Sequence, residues 1–249
     1  MGTPRIFNDL LREEAGMQAA WLPLTNTFEL GDFGLVSGGV FNKIGNIRSF
    51  FPKDDSDLFE VLEGGESSLK FASDGISINR FGADGSVKEF SGLGDTSANI
   101  SIEFANEDSF YVSGKLKMKQ IVNVESLAGR LYHTAGWRSK YQVVRHVYCA
   151  ENCTVISSSG AGAKVSLSGS ASLLQAFELG AASASLVRNS NEKIGIELIG
   201  ERGVLGIRLF KVRWITGGVN LLSDQIRSLD HQRMEVINDD VLHPLQDDV

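Results

Sequence analysis

A chain of 249 residues can bury a self-sufficient core without disulfides or metal, and 42% hydrophobic with 22% charged residues is a globular composition, which argues against general disorder. A formal net charge of -7 argues against non-specific nucleic-acid binding, which depends on neutralising phosphates with Lys and Arg. Two cysteines, Cys149 and Cys153, leave no disulfide framework and make the cytoplasm the simplest compartment.

Thr3 caps a first helix with Pro4 in its first turn, Phe7, Leu10 and Leu11 on one face and Gly16 just past its end. Pro and Gly then interrupt every apolar run from Ala20 to Gly34, which predicts short strands and turns. Asp54, Asp55 and Asp57 ahead of Leu58, Phe59, Val61 and Leu62 predict a short helix with acids in its first turn, where the helix dipole favours them. From Ser67 to Met118 the period becomes two. Leu69 and Phe71, then Ile76 and Ile78, flank Asp74-Gly75, a dipeptide suited to a tight hairpin, and Asp84-Gly85 repeats the turn signal. Ile100, Ile102 and Phe104, then Phe110, Val112, Leu116 and Met118, predict two more strands around an Asn106-Glu107-Asp108 turn. A meander of antiparallel strands is expected.

Val124, Leu127, Ala128 and Leu131 form the stripe of a helix running to Tyr132 and ended by Gly136. Tyr141 to Cys149 carries Val or Tyr on both faces and predicts a central strand; a turn is expected around Cys149 and Cys153. Cys153–Ser157, Lys164–Leu167, Ser183–Val187, Lys193–Ile199 and Leu205–Trp214 continue the sheet, whereas Leu173–Leu179 fits helix or strand. Ser, Ala and Gly dominate Thr154–Ser190, which reads either as a surface hairpin on a sheet edge or as a segment kept loosely packed so that it can move. Beyond Gly217-Gly218, Leu221–Leu229 predicts a helix. The acidic tail that follows carries Met234, Val236, Ile237, Leu242 and Leu245, and is either a frayed terminus or a docked regulatory peptide. The fold class expected is α+β: one domain over 1–214, with a twisted, mostly antiparallel sheet and a few short helices, followed by a C-terminal helix and tail over 215–249.

Chemistry-bearing side chains do not converge. His133, His146, His231 and His243 show no metal-ligand spacing, Ser157–Lys164 lacks the Gly-Lys-Ser/Thr ending of a phosphate loop, and Asp54, Asp55 and Asp57 lack the distal Glu of a calcium loop. No catalytic set, metal or cofactor is expected, and an enzyme with an unfamiliar site around His146 and Cys149 is the weakest reading. No window approaches the roughly 20 apolar residues of a spanning helix, so any membrane role belongs to folded elements. Lys115, Lys117 and Lys119 alternate with Leu116 and Met118, placing three ammonium groups on one face. They read either as an edge strand protected from aggregation or as a contact with anionic lipid, extended by Arg138 and Lys140.

The order of elements resembles the pore-forming domain of gasdermins, particularly the small bacterial and fungal forms without a large repressor domain. The resemblance rests on the N-terminal helix leading into Trp21-Leu22-Pro23-Leu24 and on Ile100-Ser101-Ile102-Glu103-Phe104 preceding the helix at Val124-Glu125-Ser126-Leu127. It continues in Tyr141-Gln142-Val143-Val144-Arg145-His146-Val147 and Leu205-Gly206-Ile207-Arg208-Leu209-Phe210, and spans most of residues 3 to 214. Unlike bacterial members, residues 1 to 20 contain no cysteine to accept an acyl chain.

The resemblance implies a cytosolic, non-enzymatic protein held inactive by its C-terminal segment, with roles in cell death and antiviral defence. Its implied partners are an activating protease, membrane lipid and further copies of itself, with no nucleic acid. The implied inserting hairpins span 67–118, with Leu69, Phe71, Ile76, Ile78, Ile100 and Ile102, and 154–190, with Val155, Val165, Leu167 and Val187. The alternative expectation is a structural or assembly module that self-associates or binds a protein through strand edges.

Overall fold

The computed structural model describes residues 3–53, 55, 58–82, 95–178, 180, 185–213 and 218–221. Helix α1 (Thr3–Ala15) buries Phe7, Asn8 and Leu11 and stops at Gly16, whose φ of 61° favours glycine. A two-residue strand β1 (Gln18–Ala19) follows, then the hairpin β2 (Asp32–Ser37) and β3 (Val40–Asn46). Strands β4 (Val61–Ala72), β5 (Ile76–Gly82), β6 (Ser97–Phe104) and β7 (Phe110–Ile121) lead to helix α2 (Val124–Tyr132). The chain continues through β8 (Gln142–Ser158), β9 (Ala163–Ser170), helix α3 (Ala171–Glu178), β10 (Val187–Ser190), β11 (Ile194–Val212) and β12 (Val219–Leu221).

These strands form two sheets in which every pairing is antiparallel, so the architecture is α+β as the alternation of side chains predicts. In the eight-stranded sheet β4, β7, β8 and β11 lie side by side, with β2–β3 joined at the start of β8 and with β1 and β12 on β11. The four-stranded sheet has the order β10-β9-β6-β5. One core lies between α3, the small sheet and the Tyr111–Ile156 part of the large one. A second packs α1, through Phe7 and Leu11, on Phe110, Val112, Cys153 and Val155. A third seats Leu127 and Leu131 of α2 on Val143 and Phe210.

Several expectations change. Asp74-Gly75 does not close a hairpin: β4 pairs with β7 and β5 with β6, and residues 73–75 carry one strand from the large sheet into the small one. A turn dipeptide sets a change of direction, here through Gly75 at φ 81°, and leaves the choice of partner to the rest of the fold. Val61 and Leu62 open β4 rather than ending a helix; Leu221 closes β12, and the rest of the helix expected over Leu221–Leu229 lies outside the described residues. The expected turn near the cysteines is a bulge at Asn152, φ 51°, inside the continuous strand β8, and Lys193–Trp214 is likewise dominated by one strand, β11. Leu173–Leu179 resolves as helix α3 over its described part, because Leu174 and Phe177 bury one face at helical spacing.

The stretch from Thr154 divides: β10 is an exposed edge of the small sheet, as the surface-hairpin reading expects, whereas β8 and β9 are not loosely packed. Val155, Val165 and Leu167 are wholly buried, and β8 and β9 are each paired on both sides. Its small side chains instead let neighbouring segments approach closely, as where a Cβ on Gly169 of β9 would sit 2.7 Å from Leu186 just ahead of β10. Asp84-Gly85 and the tail residues Met234, Val236, Ile237, Leu242 and Leu245 lie outside the described residues.

Candidate functional site: a bent double ribbon

The two sheets share their strands. β4 and β5, hydrogen-bonded to β7 and β6, make one long hairpin folded at its middle; β8 and β9, bonded to β11 and β10, make a second. The two lie side by side on both sides of the fold, β7 against β8 in the large sheet and β6 against β9 in the small one. Phe104 stands opposite Ala163 before the bend and Phe110 opposite Ser157 after it. The intervening stretches 105–109 and 158–162 are therefore equal in length, and the register between the hairpins passes through the bend unbroken.

Hydrogen bonds define the corner. Ser158 Oγ donates to the Asn106 carbonyl at 2.8 Å and accepts from the Ser109 N–H at 3.0 Å. The Gly162 N–H donates to the Phe104 carbonyl at 2.8 Å and the Ala105 N–H to the Gly75 carbonyl at 2.9 Å. Gly75 is favoured here by its φ of 81°, and a Cβ there would also push the end of the Asn106 side chain aside. Helix α1 reaches the corner through the Thr3 hydroxyl, 3.3 Å from Asp108 Oδ1.

Side-chain direction is also conserved through the bend. On one face β6 places Ala98, Ile100, Ile102 and Phe104, and β7 continues with Phe110, Val112 and Leu116, all buried. Across from them on the same face stand Leu167, Val165, Ala163 and Val155. Because the ribbon folds over at the corner, this one face serves two cores: the small-sheet part joins the α3 core and the large-sheet part joins the α1 core. The inserting-hairpin candidates Leu69, Phe71, Ile76, Ile78, Ile100, Ile102, Val155, Val165 and Leu167 all lie on it. Val187 is the departure: it stands opposite Ser168 on the other face and is 68% exposed. Its strand runs Val187–Ser190, and the register with β9, which the sequence does not reveal, sets the face it takes.

Helix α3 holds the fold-over. Phe177 stacks on Tyr111 with centroids 6.0 Å apart and an interplanar angle of 22°, and the Arg80 guanidinium of β5 grips Glu178 Oε1 at 2.5 and 2.6 Å. Burial pushes the Tyr111 hydroxyl up to about 12. Beneath this lid Thr154 Oγ1 is buried and finds no hydrogen-bond partner among the described residues, which costs about 1–3 kcal/mol for such a group.

The opposite face carries the charged pairs, and beside the corner it also carries Tyr111, Ile156 and Ile199, which are buried in the α3 core. Lys119 Nζ lies 2.6 Å from Glu63, Lys115 Nζ 2.9 Å from Glu66 and Lys164 Nζ 2.8 Å from Glu103, with Lys117 at 3.9 Å from Glu66. Hydrogen bonds from Lys119, Lys115 and Lys164 hold the carboxyls of Glu63, Glu66 and Glu103 below the usual range, and Glu63 in turn raises Lys119. The Lys115–Lys119 strand is thus not an edge strand, since β7 is paired with both β4 and β8, and its lysines already have acidic partners. Arg138 and Lys140 are exposed in the loop between α2 and β8, which the ribbon pairing does not include. Glu63, Glu66, Arg80 and Glu178 escape a reading of the sequence because their partners are fixed only by sheet register and by α3.

His146 Nε2 lies 2.6 Å from Gln120 Oε1, whereas Cys149 stands opposite Lys117, and burial pushes the Cys149 thiol up, the reverse of what a nucleophile needs. Among the described residues no three His, Cys, Asp or Glu side chains gather as a metal site, and no helix is long and apolar enough to cross a membrane.

No family model matches the chain, and no curated protein matches it. Among solved structures, a bacterial gasdermin from Bradyrhizobium tropiciagri is 14% identical with a TM-score of 0.38, the match covering 88% of this chain and 90% of that one. The cryo-EM structure of the gasdermin A3 membrane pore is 13% identical with a TM-score of 0.28, covering 91% of this chain and 96% of that one.

Proposed function

We propose that this chain is a latent pore-forming protein whose two folded hairpins straighten at the corner, join those of neighbouring copies and line a membrane barrel. The observation that carries the reading is the unbroken register and side-chain direction of the ribbon through residues 105–109 and 158–162. A barrel strand must alternate lipid-facing and water-facing side chains over about 9–11 residues, and the β6–β7 stretch keeps one such alternation on both sides of its bend. Straightening moves the apolar side chains of one face from protein core to hydrocarbon and Thr154 from an unsatisfied interior site to water. It is opposed by Tyr111, Ile156 and Ile199, which leave the core for the water-facing side, and by Arg80 and Arg188, which the register places on the lipid-facing side. Resistance also lies in the contacts that keep the small sheet folded over, chiefly α3 on Tyr111 and Arg80. Among the described residues β5 and β10 are the edges of the small sheet, and they supply the pairing surfaces that a ring of copies closes.

In this reading the C-terminal segment with Met234, Val236, Ile237, Leu242 and Leu245 restrains the bent form until a protease removes it. The test is the full chain carrying an engineered protease site between Gly217 and Arg233, mixed with dye-loaded vesicles of phosphatidylcholine and phosphatidylglycerol. Dye release on cleavage, and none before it, is expected; retention after complete cleavage overturns the proposal.

A second reading, a module that assembles without any membrane, is favoured by the exposed apolar side chains Val61, Leu62 and Val187 on strands β4 and β10. A uncleaved chain that sediments as a defined oligomer at low concentration, and leaves vesicles intact when cut, supports that reading instead.

A further inference from the structure

Resting on the pore reading, the register carries a statement about what such a pore passes. Cross-strand partners on the charged face belong to adjacent strands of one ribbon, so they stay opposite one another whether the ribbon is bent or straight. Glu63 stands opposite Lys119, Glu66 opposite Lys117 and beside Lys115, and Glu103 opposite Lys164. The same face carries Lys70, opposite Ser113, together with Glu151, opposite Lys115, and Glu197, opposite Ile156. With Arg202 of β11, 3.9 Å from Glu151, the described part of this face carries five acids and six bases, and they alternate across strands rather than gathering into rings of one sign.

We infer that the water-facing wall built by these strands is close to charge-balanced, so that the pore sorts solutes by size and not by the sign of their charge. Selectivity for cations or anions needs rings of like charge around the lumen, and the pairs remove them. The carboxylates are held ionised below their usual range by the lysines facing them, so the balance persists through mildly acidic conditions and fails only as the acids protonate.

The experiment is a reversal-potential measurement in planar bilayers of phosphatidylcholine and phosphatidylglycerol under a KCl gradient, with the full chain cleaved in place at the engineered site. The expected potassium-to-chloride permeability ratio lies within about twofold of unity. The triple substitution Glu63→Lys, Glu66→Lys, Glu103→Lys, at partly or wholly exposed positions, is expected to turn the pore anion-selective by about fivefold or more. A native ratio beyond about fivefold in either direction, or a triple variant that stays unselective, overturns the inference while leaving the pore reading intact. Absence of conductance with cleaved native protein is the separate failure of the pore reading itself, and the inference falls with it.

Discussion

A reducible cross-linker joining position 80 to position 178 is expected to stop dye release from cleaved protein, and reductant is expected to restore it. Arg80 lies on β5 and Glu178 at the end of α3, so the tether clamps the small sheet under its helix, the contact that straightening must break. The variants are Arg80→Cys and Glu178→Cys in a Cys149→Ser background; Cys153 stays, because burial pushes its thiol up to about 12 and shields it from reagents. A second pair separates unbending from disassembly. Asn99 and Ser168 face one another across β6 and β9. Antiparallel partners have Cα atoms about 4.5–5.5 Å apart, within disulfide reach. A disulfide between Asn99→Cys and Ser168→Cys is expected to leave dye release unchanged, since that pairing survives in the straight ribbon. Blockade by both links contradicts a conserved register, and blockade by neither contradicts the fold-over.

Phe104→Ala is expected to destabilise the bent form by about 3–5 kcal/mol in urea unfolding, the range for deleting a buried aromatic side chain. Phe104 is wholly buried in the core that binds the small sheet to Tyr111, Ile156 and Phe177. Ser97→Ala, on the exposed face of the same strand, is expected within about 0.5 kcal/mol of the native protein. The loss at Phe104 falls on the contacts between small sheet and corner, so cleaved Phe104→Ala protein is also expected to release dye after a shorter lag. A longer lag with the same loss of stability places Phe104 in the assembled state more than in the latent one.

What the sequence makes legible follows from how local each signal is. Alternation at Ile100, Ile102 and Phe104 needs only neighbours two residues away, and it identifies both the strand and its buried face. Helices α1 and α2 carry their own stripes, with glycines just beyond them at Gly16 and Gly136, and both emerge where predicted. Partner choice is not local: nothing near Asp74-Gly75 says that β4 will bond to β7 and β5 to β6, which depends on the second hairpin lying alongside. Helix α3 is ambiguous in a run of Ser, Ala and Leu because its one-sided burial exists only against β6 and β9. The Arg80–Glu178 grip joins residues 98 apart in the chain, and no spacing rule reaches that far. The Lys115, Lys117 and Lys119 face was readable, but its acids were not, since the Gly64-Gly65 bulge in β4 sets which glutamates face them.

The pore reading stands or falls on one ribbon face meeting lipid and the other water, in a single phase on both sides of the bend. A fluorophore placed singly at each position from 97 to 118, in cleaved protein on phosphatidylglycerol-containing vesicles, reports this through quenching by a lipid-borne or a water-borne agent. Lipid quenching is expected at Ile100, Ile102, Phe104, Phe110 and Val112 and aqueous quenching at Asn99, Ser101, Glu103, Tyr111 and Ser113, with period two unchanged across residues 105–109. A pattern that reverses phase at the bend, or uniform aqueous quenching of the stretch 97–104, contradicts that reading.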